Sequence, residues 1–298
     1  MQTSNQGSSW MDDSTPPDVV RQRLGLGCAR LGSVVGRDQT EALHFIQSAF
    51  DRGIRFFDTA NIYGQGESER ILGSALRGQR KRATIVTKAG QHFPAWMRAV
   101  RPFKHVITPL IRRSGAGRYM VSKAREARLP RNFSDRALHA SAEASLRRLK
   151  TDYVDFFLLH SPSSDLITNG EALGSLEKLR EAGKAIKIGI SCEDVESGLL
   201  ALGDSRVDAI ELPLWPATAK TERFLNRARR QRVFVIGRGL MSAPPSTSNS
   251  DRWSAARAAL ISSLARGEIS RLLIGTTRLA HLNQVLDAVQ SAEETSCL

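Results

Sequence analysis

From residue 23 onward the chain alternates between two hydrophobic periods. Short, nearly continuous apolar runs recur, and between them apolar residues repeat every three or four positions. RLGLGC at 23–28 is the first run. Asp38, with Glu41 three residues later, predicts a helix start, after which Ala42, Phe45, Ile46, Ala49 and Phe50 share one helical face. Arg52-Gly53 ends that helix, and IRFFD at 54–58 follows as a strand. Glu67 to Arg77 reads as the second helix, with Ile71, Leu72, Ala75 and Leu76 on its apolar side, and ATIVTK at 83–88 as the third strand. After Ser134 a helix carries Leu138, Ala142, Leu146 and Leu149. The unit then repeats: strands at 153–160, 185–191, 207–212, 233–237 and 270–275, helices at 170–182, 194–202, 220–231 and 251–265, and a closing helix with Leu282, Val285, Leu286 and Val289.

The strands carry apolar residues at consecutive positions, as strands buried on both faces of a parallel sheet do. Eight strands, each followed by a helix, predict an α/β protein built as one single-domain (β/α)8, or TIM, barrel. The structural rival is an open doubly wound sheet, which would place a glycine-rich phosphate turn and a helix directly after the first strand. Gly25-Leu26-Gly27 begins such a turn, but the rest of the pattern is missing and 29–37 does not open a helix.

Two segments fall outside this rhythm. Residues 1–22 are rich in Ser, Asn, Gln, Asp and Pro without an apolar period, which predicts a mobile polar tail ahead of a barrel at 23–298. The segment 93–131 interrupts the repeat after the third strand and is expected to hang over the barrel mouth as a basic loop insertion. It holds ten Lys and Arg against Glu126 alone, so it carries most of the chain's formal net charge of +13. Trp96, Phe103 and Ile107 lie among its cations. Three readings are open to it: a solvated lid, a surface for anionic membrane lipid, or a contact for an anionic substrate. No nucleic-acid-binding motif accompanies the charge.

Composition narrows the class. With 41% apolar and 24% charged residues the chain is of the globular kind, and no run of about 18 apolar residues predicts a membrane span. The first residues are polar and acidic where a secretory signal would be basic and then apolar. Cys28, Cys192 and Cys297 are too few and too scattered for a disulfide framework or a zinc site. A reducing compartment, the cytoplasm, and no bound metal are the expectations. Oligomeric state is left open.

The chemistry sits at the strand ends. In a barrel of this kind the active site lies at the C-terminal face. There the chain places Asp58 after the second strand, Tyr63 five residues on, Lys88 after the third and His160 after the fourth. A tyrosine ionises near pH 10 and is a poor acid–base group at neutral pH unless a neighbour stabilises its phenolate. An ammonium does that, and an aspartate keeps the ammonium charged and aimed. A histidine opposite can hydrogen-bond a carbonyl oxygen as that oxygen gains charge. Each residue alone has an ordinary structural role; four on one face make a site.

The stretches that carry these residues are FFDTANIYGQGESERILGSAL at 56–76, IVTKAG at 85–90, SLRRLKTDYVDFFLLHSP at 145–162 and LLIGTTRLAHL at 272–282. Together they resemble the aldo-keto reductase superfamily, over about 23–289. The resemblance implies one barrel binding a nicotinamide cofactor in extended form, and hydride transfer to an aldehyde or ketone, or the reverse oxidation of an alcohol or lactol. It implies Tyr63 as proton donor, Lys88 and Asp58 as the groups that tune it, and His160 as the group that orients the carbonyl. For the nicotinamide carboxamide it implies Ser191 with Cys192, where the family has Ser-Asn, and Glu211, where the family has Gln. Gly237, Arg238 and Gly239 follow strand seven as a glycine-rich loop open to a pyrophosphate. Gly275, Thr276, Thr277 and Arg278 open the last helix, a natural phosphate site; Arg278 favours a 2′-phosphate, hence NADPH over NADH. The expected partner is a small carbonyl compound or alcohol. Cys192, Glu211 and Gln284-Val285 depart from the family pattern. They motivate an alternative, a barrel that binds cofactor without turnover as a sensor or subunit. A protein acting on membranes or polyanions through 93–131 is the third reading.

Overall fold

The computed structural model describes residues 22–32, 38–94, 129–240 and 249–296. The expected tail and most of the basic insertion lie outside the described residues. The strands are β1 (Leu24–Gly27), β2 (Phe56–Asp58), β3 (Thr84–Ala89), β4 (Val154–His160), β5 (Ala185–Ser191), β6 (Ala209–Pro213), β7 (Phe234–Arg238) and β8 (Arg271–Ile274). The helices are α1 (Gln39–Asp51), α2 (Glu67–Ala75), α3 (Asp135–Leu149), α4 (Ser164–Asn169), α5 (Glu171–Glu181), α6 (Val195–Ala201), α7 (Ala219–Gln231), α8 (Asn249–Leu264) and α9 (Leu279–Ser296). The eight strands close into a parallel barrel in chain order, with β1 bonded to both β2 and β8. That closure excludes the open sheet. The short helix α4, capped by the Ser163 side chain, is one element that the apolar pattern does not announce.

Each strand divides its residues by parity, because successive side chains point to opposite faces. Leu26, Phe57, Ile85, Phe157, Ile188 and Ile210 face outward and pack with the helices in the larger apolar core. Phe56, Val86, Phe156, Leu158, Ala209, Ile236 and Leu273 face inward and fill the barrel, with Phe234 against them. The rings of Phe56, Phe156 and Phe234 lie 4.9–6.1 Å apart, centroid to centroid. The Lys187 ammonium and the Arg271 guanidinium stand over these rings. Gly25 is glycine for a steric reason: a Cβ there would meet Phe56 at 2.7 Å and Leu273 at 2.9 Å.

The same parity, carried two residues further toward the strand ends, builds the mouth. Phe56 is followed by Asp58, Val86 by Lys88, Leu158 by His160, Gly189 by Ser191, Ala209 by Glu211 and Ile236 by Arg238. Across the sheet, His160 is in register with Ser191, and Ser191 with Glu211. Apolar layers below and ionisable groups above come from one alternation.

The described ends of the 93–131 insertion are tied together. His92 N donates to Pro130 O at 3.0 Å, Asn132 N donates to Gly90 O at 2.7 Å, and Gln91 and Arg131 form an antiparallel bridge. The chain leaves and rejoins the body at one place, just beyond β3.

Candidate active site

Tyr63 is not on a strand, and a network of small polar residues holds it over the barrel. It opens a 3-10 turn after β2, with Tyr63 N donating to Ala60 O at 3.0 Å and Gly66 N to Tyr63 O at 3.1 Å. Gly64 has φ +58, and a Cβ there would stand 2.7 Å from the Gly32 carbonyl oxygen, so the turn closes on the loop after β1 only with glycine. The Thr59 and Ser68 hydroxyls are 2.9 Å apart, and Ser68 donates to Cys28 O at 2.9 Å. Asn61 N donates to Lys88 O at 3.2 Å. Glu69, fully buried at the start of α2, accepts from Thr87 and from Arg148, each at 2.6 Å. Thr59, Ser68 and Glu69 escaped the sequence reading, although their spacing within DTANIYGQGESE is the signal that could have found them.

Lys88 is the centre of the site. Its side chain is fully buried and its ammonium hydrogen-bonds the Asp58 carboxylate. It also donates to Thr59 O at 3.1 Å. A second carboxylate, Glu211, reaches it from across the barrel, with Oε2 at 3.0 Å from Lys88 Nζ. The two form an ion pair, and Glu211 Oε2 has no hydrogen-bond partner among the described residues. The ammonium stands 5.3 Å from the centroid of the Tyr63 ring. Tyr63 meets His160 edge-on, with centroids 5.8 Å apart and planes at 86°. His160 is buried, and its Nδ1 has no hydrogen-bond partner among the described residues.

Burial sets the direction of most titrations. It pushes the Tyr63 phenol up to about 12; the Lys88 ammonium pulls the other way, and the Asp58 and Glu211 carboxylates add to the rise. The ammonium therefore acts in the expected sense but is outweighed. Burial would lower Lys88, yet Asp58 and Glu211 together raise it, so it stays charged. Asp58 is pushed above the ordinary carboxylate range by burial and by Glu211, against the pull of Lys88. Burial, then the nearby cations Lys88, Arg238 and Arg131, hold His160 well below its ordinary value, so the imidazole is neutral at pH 7.

The remaining candidate residues divide. Ser191 is buried in the inward row between His160 and Glu211. The Cys192 side chain is instead buried with the apolar layer between strands and helices. What Cys192 offers the cluster is backbone: its N–H donates to Glu211 O at 2.7 Å and its carbonyl accepts from Arg238 Nη2 at 2.8 Å. Arg238 Nε lies 3.5 Å from Glu211 Oε1. Gly237 is buried at the end of β7, and Gly239 has φ +88 with only Pro213 near a would-be Cβ. After β8, nothing stands within 4 Å of a Cβ placed on Gly275. Thr276 Oγ1 accepts from Arg278 N at 3.1 Å, Thr277 is half-buried, Arg278 is exposed, and α9 begins at the next residue.

These residues fit a dinucleotide unequally. The open backbone at Gly275 and the free N–H groups of the first turn of α9 suit a phosphate. At the other end the Glu211 carboxylate is already engaged by Lys88 and Arg238, where an amide would have been free for a carboxamide. Among the described residues no group of His, Cys, Asp and Glu could hold a metal ion, and no helix is long and apolar enough to cross a membrane.

Comparison with known proteins agrees with the fold. The model of the aldo/keto reductase family matches residues 23–242. Aldo-keto reductase YhdN of Bacillus subtilis is 30% identical over 182 residues, which is 60% of this chain and 45% of that protein. D-threo-aldose 1-dehydrogenase of a Pseudomonas species is 34% identical over 180 residues, 57% of this chain and 50% of that protein. The chain thus spans about half the length of these curated relatives. An aldo-keto reductase of Klebsiella pneumoniae, solved in complex with NADPH, superposes with a TM-score of 0.64 at 21% identity, covering 90% of this chain and 85% of that one.

Proposed function

The chain belongs to the aldo/keto reductase family, and from that premise we propose that it interconverts a small aldehyde or ketone and its alcohol, with NADPH as cofactor. The observation that carries this reading is the convergence of Asp58, Tyr63, Lys88 and His160 on one barrel mouth. Tyr63, kept protonated by burial, gives its phenolic proton to the carbonyl oxygen. Lys88 stabilises the phenolate left behind, and Asp58 keeps the ammonium charged and aimed. His160, neutral, donates an N–H to the same oxygen as negative charge grows there. NADPH, when bound, supplies the hydride.

Gly275, Thr276 and Thr277 would hold a phosphate through backbone N–H groups, and Arg278 beside them would pair with a 2′-phosphate. Gly237, Arg238 and Gly239 would lie along the pyrophosphate, and Ser191 at the nicotinamide. The Klebsiella structure solved with NADPH supports a nicotinamide cofactor; the preference for NADPH over NADH rests on Arg278.

Fluorescence titration with NADPH and NADH, followed by a panel of carbonyl compounds, tests the reading in wild type and in Tyr63→Phe. The variant should lose about 10²–10⁴ in rate, the worth of general acid catalysis, while NADPH affinity stays within a few-fold. Undiminished turnover in the variant reassigns the acid. Failure of wild type to bind either cofactor at millimolar concentration replaces the reading with a barrel that has lost it.

A further inference from the structure

We propose that Glu211 is a positioning residue for proton transfer: it holds the Lys88 ammonium as a second carboxylate beside Asp58, and with Arg238 as its counter-charge it sets how readily Tyr63 releases its proton. This rests on the reading of Tyr63 as the acid. The ordinary pairing here would be one ammonium with one carboxylate, a neutral couple beside the phenol. In this chain Lys88 meets both Asp58 on β2 and Glu211 on β6, all three buried. A third charge buried without a partner would be costly. Arg238 on β7 meets that need, 3.5 Å from the far oxygen of Glu211 and anchored on the Cys192 carbonyl at 2.8 Å.

The arrangement therefore reads as a chain of charge across the mouth: Asp58, Lys88, Glu211, Arg238. Its two middle members sit on β3 and β6, which share no ladder, so the contact is one that barrel closure makes. The charged and titratable groups around the phenol can be named strand by strand. Cys28 follows β1, Asp58 ends β2, Lys88 is on β3, and His160 is on β4. Glu211 is on β6, Arg238 on β7, and Arg131 lies near His160 from the end of the insertion. Cys28 is held protonated by burial and His160 is held neutral, so the charge felt by Tyr63 comes from Asp58, Lys88, Glu211 and Arg238.

The sign follows. A carboxylate near a phenol opposes phenolate, and a guanidinium favours it. Glu211→Gln, which keeps the shape and removes the charge, should let Tyr63 ionise at lower pH. Arg238→Gln should move ionisation to higher pH, and Arg238→Lys should restore it.

Phenolate absorbance near 295 nm reads this without turnover. Each variant is titrated against its own Tyr63→Phe double, which cancels Tyr119 and Tyr153. The expected result is a fall of about one pH unit, a tenfold change in the ionisation constant, for Glu211→Gln, and a rise for Arg238→Gln. In alcohol oxidation, the rising limb of kcat against pH should move in the same two directions. Opposite shifts from neighbouring residues are not what loosened packing produces. The proposal is overturned if Glu211→Gln leaves the phenolate onset in place while NADPH binding weakens several-fold, which would assign Glu211 to the cofactor. It is equally overturned if both variants shift the onset the same way. If no carbonyl compound is turned over but the opposed phenolate shifts are seen, the reading of function fails, and what is retained is the control of Tyr63 ionisation by Glu211 and Arg238 without its catalytic use.

Discussion

Tyr63 stands edge-on to His160, ring centroids 5.8 Å apart and planes at 86°. The contact joins a residue held on a loop turn to one held on a strand. It sets a phenol beside a neutral imidazole, the pair that the proposed function asks to meet one carbonyl oxygen.

The neutrality of His160 has a thermodynamic consequence. Its folded value lies well below the ordinary 6.5, so below about pH 6.5 the unfolded chain binds a proton that the folded chain refuses. This contribution to stability is present above 6.5 and is lost as pH falls toward the folded value, at no more than about 1.4 kcal/mol per pH unit. Asp58 works in the opposite sense, because a raised carboxyl loses stability as pH rises toward its folded value. The difference in urea-unfolding stability between wild type and His160→Gln isolates the histidine. That difference should shrink between about pH 7 and pH 5. A difference independent of pH would mean that the imidazole protonates equally in both states.

Gly64 should be intolerant of a side chain. Alanine there must adopt φ +58 and crowd the Gly32 carbonyl. The left-handed conformation alone costs about 1–2 kcal/mol. Gly64→Ala should lower the denaturation midpoint and reduce kcat through displacement of Tyr63, with cofactor affinity little changed. Unaltered kcat in a destabilised variant would separate the turn from the placement of the phenol.

Arg278 is exposed at the start of α9, free to meet a phosphate. Arg278→Ala should weaken NADPH binding roughly tenfold, the scale of one charge-assisted contact, and leave NADH nearly untouched. Titration with both cofactors measures it. Equal losses would show that the arginine serves the pyrophosphate or the helix.

The basic insertion should be removable. Its ends are already joined by the His92–Pro130 and Asn132–Gly90 bonds, so a short Gly-Ser linker in place of 95–128 has little distance to span and little entropy to lose. The deletion should keep its far-ultraviolet circular dichroism and its cooperative melt. Loss of cooperativity would place part of the segment in the core.

Much of this protein could be read along the chain because its signals are local. Strand and helix periods, the Asp38 cap and the strand-end positions of Asp58, Lys88 and His160 depend on residues a few places apart, and the structure repeats them within a residue or two. The parity that turns Asp58, Lys88 and Glu211 inward was equally present in the sequence, since a strand side chain alternates whatever its neighbours are.

Which of these side chains meet is set by the closed barrel. Glu211, a candidate for a carboxamide, also lies against Lys88, and Arg238, a candidate for a pyrophosphate loop, also lies against Glu211 and the Cys192 carbonyl. These pairs are separated by 123 and 27 positions in the chain. No period in the sequence records the width of a barrel. Closure of β1 on β8 curves β3 and β6, three strands apart, around one small interior, and one side chain reaching in from each brings a lysine and a second carboxylate together. The chain specifies which residues face inward; the curvature of the closed sheet specifies which of them touch.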